Sequence, residues 1–373
     1  MGRPLLPLGP QEYSSRSYAA FHLPNREGPV DASVTLKPLH LNDPFSISRD
    51  TRTTATSVLV ELECGGLGEA VPVRYHRQTA EGEAAAAQAM ARELPSEPWD
   101  LEGILAHLRR KYPRHSAALC AIDLALHDWI GKETGLPLFR YFGCASPDNK
   151  QTSFTIGIDT PETMLRKVAA AKPYPILKIK LGRDVDHDLR VMRAIREAEP
   201  EKGLRVDANA GWSLSDARKA IPILADLGVE YVEQPLPIGA FHDLEALHRD
   251  SPLPLFLDED ISTSADVVRA AGLCTGVNLK LMKCGGLLEA RKMVVVARAH
   301  GLQLMIGCMI ESSLAITAAG HLSPLLDYLD LDSHLLIQND PFQGLELEAP
   351  EMWVRLPDRP GIGVMPRPID ASV

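Results

Sequence analysis

A strand-then-helix repeat from residue 151 onward restricts the possible folds of this chain more than any other feature. Short apolar segments rich in β-branched residues recur about every 25 residues, which is typical of strands. Amphipathic segments such as Asp186–Glu197, Ser215–Leu227 and Ser264–Ala271 lie between them and predict helices. The strands are predicted to start near Ser153, Ile176, Leu204, Val229, Pro254, Val277, Leu302 and Tyr328. Eight such units predict a closed (β/α) barrel. An open doubly wound sheet is the alternative, but no Gly-rich phosphate loop follows the first strand.

The rest of the chain divides around this repeat. Residues 1–30 are Pro-rich without periodicity and are expected to be a weakly ordered extension. Residues 31–150 predict an α+β domain, and residues 151–345 form the barrel. Residues 346–373, rich in Pro and Gly, are expected to return to the α+β domain. Within that domain, the polar stretch Ser46–Thr56 is interpreted as a mobile loop between two strands, and helices are predicted at Glu81–Glu93, Leu101–Lys111 and Ser116–Lys132.

Composition excludes several classes of function. A net charge of −10 and a pI near 5.7 provide no basic surface for nucleic acid. The six cysteines are scattered, which indicates free thiols in a reducing compartment. No apolar run approaches the roughly 20 residues of a membrane span, and no secretory signal is visible. We therefore expect a cytoplasmic protein whose partner is a small molecule.

Charged residues stand where the predicted parallel strands end, which is the position of the active site in barrel enzymes. Lys178 and Lys180 are two residues apart on one strand and share a face. Asp207, Glu233 and an acid of the segment 258–260 end the next three strands. A single acid at such a position is often a turn or helix-cap residue. Three of them converge in a barrel, and a hard divalent cation, by default Mg²⁺, would relieve their repulsion. Spacing alone does not choose the third ligand.

Lys280 ends a strand across the predicted barrel from Lys178 and Lys180. It is either a surface lysine, as we expect for Lys283, or part of an opposed pair of lysines around the cation. A lysine acts as a base only when its pKa falls, and a nearby ammonium group or bound cation lowers it.

Several motifs now resemble one known family, the muconate-lactonizing subgroup of the enolase superfamily. The likeness covers nearly the whole chain from about residue 32. It is carried by the segments Lys178-Ile-Lys180, Asp207-Ala-Asn209, Glu233-Gln-Pro235, Asp258-Glu259, Asn278-Leu-Lys280 and the following Leu-Met-Lys-Cys-Gly-Gly286. The resemblance implies a barrel of the enolase superfamily type with an α+β capping domain.

The resemblance also implies roles for individual residues. Asp207, Glu233 and Asp258 match the Mg²⁺ ligands, with Asn209 and Glu259 lying behind them. Lys180 and Lys280 match the two acid/base lysines, and Lys178 matches the lysine that faces the substrate carboxylate. Proton removal would give an enediolate, a chemistry for which this superfamily is itself a standard example.

Within the subgroup, Asp330 and Asp332 decide the expected substrate. They resemble the Asp-x-Asp pair with which dipeptide epimerases hold the free ammonium group of a dipeptide, while Thr155 and Cys308 would line the pocket. The resemblance therefore implies conversion of L,L- to L,D-dipeptides by a protein that we expect to be a homo-oligomer.

Alternatives remain open for both reaction and substrate. The same scaffold supports N-acylamino acid racemases, o-succinylbenzoate synthases and muconate cycloisomerases, and a non-catalytic binding barrel is a further possibility. Family members that act on Ala-Glu carry an arginine in the capping loop, where this chain has Asp50; a slip of one residue would place Arg49 there. The second residue of the dipeptide is thus acidic, hydrophobic or cationic.

Overall fold

The computed structural model describes residues 31–48, 50–146 and 150–367. The expected extension at residues 1–30, the residue Arg49 and the last six residues of the C-terminal segment lie outside the described residues.

The N-terminal domain packs a three-stranded antiparallel sheet against helices. Its strands are β1 (Ala32–Ile47), β2 (Asp50–Leu62) and β3 (Leu67–Ala70), and its helices are α1 (Ala80–Ala91), α2 (Leu101–Lys111), α3 (Ser116–Thr134) and α4 (Leu138–Tyr141). The predicted α+β architecture and its three main helices are confirmed.

The mobile loop predicted at Ser46–Thr56 is wrong, because β1 and β2 continue through most of it as a long hairpin. Ile47 is paired with Asp50, and Phe45 with Arg52. The run from Thr51 to Thr56 contains four threonines. Their β-branched side chains favour extended backbone even though they are polar.

The second domain is an eight-stranded parallel sheet in which the strands follow one another in chain order. The strands are β4 (Phe154–Ile156), β5 (Ile176–Lys180), β6 (Gly203–Asp207), β7 (Val229–Glu233), β8 (Leu255–Leu257), β9 (Gly276–Leu279), β10 (Gln303–Ile306) and β11 (Tyr328–Leu329). A parallel bridge between Thr152 and Leu329 joins the first strand to the last. The predicted (β/α) barrel is confirmed, and each strand begins within one residue of its predicted start.

Helices follow the strands, and most of them cover the outside of the barrel. They are α5 (Pro161–Ala170), α6 (Val185–Ala198), α7 (Leu214–Asp226), α8 (Phe241–Asp250), α9 (Ser264–Ala270), α10 (Leu281–Cys284), α11 (Leu287–Ala299) and α12 (Ser313–Gly320). Local sequence fixes where they begin. Ser213, for example, accepts a hydrogen bond from the Asp216 N–H while the Asp216 carboxylate accepts one from Ser213, a reciprocal cap that starts α7.

Inside the barrel, side chains form an aromatic layer below a charged one. Tyr231, Phe256 and Met305 pack together against Tyr328. Because side chains alternate along a strand, Glu233 lies two residues beyond Tyr231 on the same face of β7. The aromatic layer therefore closes the barrel beneath the charged residues and leaves them accessible only from the carboxyl ends of the strands.

The C-terminal segment lies against both domains. Its short strands are β12 (Phe342–Gln343), β13 (Glu346–Glu348), β14 (Trp353–Arg355) and β15 (Met365–Pro366). The Ile362 N–H donates to Asp128 of α3 at 2.7 Å, and the Ile362 carbonyl accepts from His321 Nε2 at 2.9 Å. Within the described ranges, no helix is both long enough and apolar enough to cross a membrane.

Candidate active site

Three acids meet at the carboxyl ends of adjacent strands. Asp207 ends β6 and Glu233 ends β7, where the two residues are direct neighbours in the parallel register, and Asp258 follows β8. Their side chains are buried, and each supplies one carboxylate oxygen to a group whose members all lie within 4.8 Å of one another. Because parallel strands expose their carboxyl ends on one rim, the even spacing in the sequence becomes a cluster in space.

Neighbouring amides hold these acids in place and identify the third one. Asn278 donates to Glu233 Oε1 at 2.6 Å. Gln234 accepts from the Asp258 N–H at 2.9 Å and donates to Asp260 at 2.7 Å, so Asp260 is held away from the cluster. Of the three acids at residues 258–260, Asp258 is therefore the one that joins Asp207 and Glu233 in the cluster.

The chain takes left-handed backbone directly after two of these strands. The φ angles of Asn209 and Gln234 are 44° and 34°, a region that is costly for residues other than glycine. At Asn209 the turn brings the side chain back, so that its Nδ2 donates to Asp207 Oδ2 at 3.1 Å. A longer bond of 3.4 Å runs from the same nitrogen to Glu259. Asn209 and Glu259 thus lie beside the acids, where the resemblance placed them.

Four lysines reach the same carboxylates. Lys178 lies 2.5 Å from Glu233 and 2.6 Å from Asp330, and Lys180 lies 2.5 Å from Asp207. On the other side, Lys280 and Lys283 lie 2.8 and 2.5 Å from the two oxygens of Asp258. β5 and β9 are the second and sixth strands of eight, so Lys180 and Lys280 approach from opposite sides of the barrel.

The expectation of a surface position for Lys283 is wrong. Its side chain is buried, and its Nζ donates to both the carbonyl and the Oδ1 of Asp258 at 2.5 Å. The short helix α10 carries it inward one turn after Lys280. The only available sequence signal was spacing, since positions three apart on a helix share a face.

The electrostatics of the acids differ from one to the next. Burial alone would raise the pKa of each. At Asp258 the charges of Lys280 and Lys283 outweigh burial and hold its pKa well below the usual range. The charges of Lys180 and Lys178 lower the pKa of Asp207 in the same way. Glu233 behaves differently, because burial and the charge of Asp207 raise its pKa to about 7.

The residues present fit a hard divalent cation. All three donors are carboxylate oxygens, the ligand type that Mg²⁺ prefers. Glu233 Oε2 lies 2.5 Å from Lys178 Nζ, yet it accepts no well-oriented hydrogen bond from the residues that the structure describes. A cation at this position would stabilise the ionised form of Glu233, which its neighbours of like charge disfavour.

A second pair of acids follows β11. Asp330 accepts from Ser153 Oγ at 2.7 Å and from Lys178 at 2.6 Å. The charges of Lys178 and Lys180, and then these hydrogen bonds, lower its pKa to about 2 against the effect of burial. Asp332 accepts from the Thr155 N–H at 2.6 Å. Burial and the charge of Asp330 raise the pKa of Asp332 to about 7. Asp332 would therefore gain most from a bound cationic group.

One cavity brings most of the predicted site residues together. The barrel supplies Lys180, Lys280, Asn209, Thr155, Cys308, Asp330 and Asp332, and the N-terminal domain supplies Asp50. Burial raises the pKa of the Cys308 thiol, so it is a neutral wall residue and not a thiolate nucleophile. Arg52, which the sequence did not single out, also lines the cavity and lies 2.6 Å from Asp50.

Two further buried acids lie between the domains, beside the cavity. Glu69 of β3 accepts from Ser312 Oγ at 2.5 Å and from backbone N–H groups at the start of α12. Glu311 accepts from the Met309 N–H at 3.1 Å. Burial, and then the charge of Glu69, raise the pKa of Glu311 to about 7. The sequence alone had assigned no role to Glu69 or Glu311.

Known proteins share this arrangement. Residues 162–370 match the enolase C-terminal domain-like family, and residues 30–143 match the N-terminal domain of mandelate racemase / muconate lactonizing enzyme. The L-Ala-D/L-Glu epimerase of Bacteroides thetaiotaomicron is 40% identical over 335 residues, covering 88% of this chain and 85% of that protein. The hydrophobic dipeptide epimerase of Roseobacter litoralis is 44% identical over 253 residues, covering 66% and 72%.

A solved structure is also similar. The dipeptide epimerase of Enterococcus faecalis, complexed with Mg and the dipeptide L-Leu-L-Tyr, superposes with a TM-score of 0.85 at 32% identity. The match covers 90% of this chain and 99% of that one.

Proposed function

This chain belongs to the enolase superfamily, in the group of mandelate racemase and muconate lactonizing enzyme, and on that premise we propose that it is a Mg²⁺-dependent dipeptide epimerase. The observation that carries the proposal is that one cavity is lined both by the opposed lysines Lys180 and Lys280 and by the Asp330–Asp332 pair. Relatives named epimerases support the same reaction class, and the expected isomerase is thereby confirmed.

The opposed lysines perform the proton transfer. With the α-carbon of the second residue between them, Lys180 and Lys280 face its two sides. One neutral lysine removes the α-proton, and the protonated lysine opposite donates a proton to the other side, which inverts the stereocentre. Position makes the reaction fast, since a base within hydrogen-bonding distance needs no diffusional encounter.

Negative charge grows on the substrate carboxylate as the α-proton leaves. Lys178 lies behind the cavity with its ammonium group directed at the same cluster of acids, so it is placed to stabilise this charge. Asp207, Glu233 and Asp258 would hold Mg²⁺, which when bound adds positive charge beside the same carboxylate.

Recognition of the free amino end falls to Asp330 and Asp332. An ammonium group bound between carboxylates forms charge-assisted hydrogen bonds, and these gain strength in a buried site. Because the pKa of Asp332 is raised to about 7, protonation below that pH removes its charge. We therefore expect KM for a dipeptide to rise as the pH falls below about 7.

Proton exchange followed by NMR tests the proposal directly. The protein is mixed with Mg²⁺ and a set of L,L-dipeptides in D₂O, and the α-proton signal of the second residue is followed. Deuterium incorporation together with the L,D-diastereomer is the expected result. Repeating the measurement with Glu233→Gln, which keeps size but lowers donor charge, should abolish both.

The alternative reactions of the scaffold give different outcomes in the same assay. Exchange in an N-succinylamino acid but in no dipeptide would refute the proposal and indicate an N-acylamino acid racemase. Conversion of a muconate to its lactone would indicate a cycloisomerase. In both cases the Asp330–Asp332 pair would have been misinterpreted, because those substrates have no ammonium group.

A further inference from the structure

The proposed reaction leaves one direction in the cavity for the side chain of the second residue. Of the four substituents of its α-carbon, the proton faces Lys180 or Lys280, and the carboxylate faces the buried acids and Lys178. The amide nitrogen leads back to the first residue, whose ammonium group lies at Asp330 and Asp332. The remaining substituent therefore points to the wall that the N-terminal domain contributes.

That wall, which we call the capping wall, is mostly apolar. It consists of the five N-terminal-domain residues that line the cavity, namely Phe45, Ile47, Asp50, Arg52 and Val73. The adjoining barrel residues Met309, Ile310 and Leu336 are apolar as well. A side chain that enters this region exchanges water for hydrocarbon, which favours apolar side chains.

The two charged residues of the capping wall neutralise each other. Asp50 and Arg52 are two apart on β2 and so share a face. Arg52 Nε donates to Asp50 Oδ2 at 2.6 Å, and the side chains are 21% and 34% exposed for Arg52 and Asp50. A substrate glutamate would meet the Asp50 carboxylate, and a substrate lysine would meet the Arg52 guanidinium. The charged group of either substrate would give up its hydration on entering the cavity. No unpaired opposite charge among the described wall residues would replace that water.

Hydrogen bonds fix the capping wall against the barrel. Ser48 Oγ donates to the Asn209 carbonyl at 3.0 Å, and the Ile158 N–H donates to the Ser46 carbonyl at 2.9 Å. Arg183 also donates to the Ile47 carbonyl at 3.3 Å. Residues 46–48 of β1 and the adjoining turn are thus bonded to three segments of the barrel, which holds the neighbouring ion pair beside the cavity.

From this geometry we infer that the second residue of the substrate is apolar, of the leucine, methionine or phenylalanine kind, and that Asp50 sets this preference by neutralising Arg52. The inference rests on the proposed function. It decides among the acidic, hydrophobic and cationic substrates that the sequence left open.

The test compares kcat/KM for L-Ala-L-Leu, L-Ala-L-Glu and L-Ala-L-Lys. The wild-type protein should favour L-Ala-L-Leu by about tenfold or more over the other two. Asp50→Asn keeps the size of the side chain but leaves the Arg52 charge unbalanced. It should raise kcat/KM for L-Ala-L-Glu about tenfold relative to L-Ala-L-Leu. Combining Asp50→Asn with Arg52→Gln should cancel that gain.

Glu61→Gln is the matched control, because it makes the same chemical change at an exposed position of β2 away from the cavity. It should leave the wild-type ratios unchanged. A wild-type preference for L-Ala-L-Glu or L-Ala-L-Lys, or unchanged ratios in Asp50→Asn, would overturn the inference while the epimerase assignment stands. No turnover of any dipeptide by folded protein would overturn the proposed function and the inference together.

Discussion

Replacement of one buried glutamate between the domains should stabilise the protein at alkaline pH. Glu311 is 5% exposed and accepts a hydrogen bond from the Met309 N–H at 3.1 Å. The nearby Glu69 accepts from several donors at the start of α12, which favour its negative charge, although burial still raises its pKa. Burial and that charge raise the pKa of Glu311 from 4.5 to about 7. Glu311→Gln imitates the protonated acid and keeps an oxygen for the Met309 N–H.

The magnitude follows from the pKa of Glu311 in the two states. Well below pH 4.5 the folded and unfolded chains both hold the proton, so Glu311 does not reduce the free energy of unfolding. As the pH rises, the unfolded chain releases the proton first, so the free energy of unfolding falls until the folded state also titrates near pH 7. Each pKa unit corresponds to about 1.36 kcal/mol, so the loss reaches roughly 3 kcal/mol above pH 7.

Urea unfolding followed by circular dichroism between pH 5 and pH 8 measures this difference. The variant should be more stable than the wild-type protein by less than about 1 kcal/mol at pH 5 and by roughly 3 kcal/mol at pH 8. Glu245→Gln, on an exposed position of α8, controls for loss of a surface carboxylate. A variant whose stability follows the wild-type pH profile in parallel would refute the reasoning.

Three other predictions concern titration, catalysis and the metal. Burial lowers the pKa of His321 from 6.5 to about 4, so the free energy of unfolding should fall as the pH drops from about 6.5 to 4, by up to roughly 3 kcal/mol. In urea titrations, His321→Gln should flatten that decline. Lys180→Ala and Lys280→Ala should each reduce epimerisation about 10²- to 10⁴-fold in a polarimetric assay. The lysine that remains should still exchange the α-proton of one diastereomer in D₂O, a different one in each variant. Asp258→Asn leaves Lys280 and Lys283 buried without their carboxylate and should lower stability by about 3–5 kcal/mol in urea. The thermal midpoint of that variant should no longer rise when Mg²⁺ is added.

Most of the barrel could be predicted from the sequence because its signals are local. A strand such as Ile176–Lys180 shows its alternation within five residues, and the residues after it supply the helix. The acids were predictable for the same reason. Parallel strands place equivalent positions on one rim, so regular spacing is enough to predict that Asp207 and Glu233 are neighbours.

Contacts that depend on tertiary geometry could not be predicted. Lys283 appeared to be a surface residue because its spacing from Lys280 does not by itself show that α10 turns it toward Asp258. Spacing did not distinguish Asp258 from Asp260, although the family resemblance did, because the difference depends on Gln234, which binds across from another strand. The prediction of a mobile loop at Ser46–Thr56 failed because polar composition was taken as evidence for a loop, whereas pairing of Phe45 with Arg52 continues the sheet.

The charged layer of the barrel is difficult to explain as a stabilising feature. Four ammonium groups and four carboxylates, all nearly inaccessible to solvent, are joined there by six ion pairs. Lys178 pairs with Asp207, Glu233 and Asp330, Lys180 pairs with Asp207, and Lys280 and Lys283 pair with Asp258. Removing so many charges from water costs free energy that their attraction only partly offsets, and well-packed apolar residues would be equally or more stable. The aromatic layer directly below is filled mostly by uncharged side chains, with the buried Arg205 guanidinium lying over the rings of Tyr231 and Tyr328. The charged layer is therefore better explained by a reaction that places a carboxylate, an ammonium group and a moving proton within one cavity.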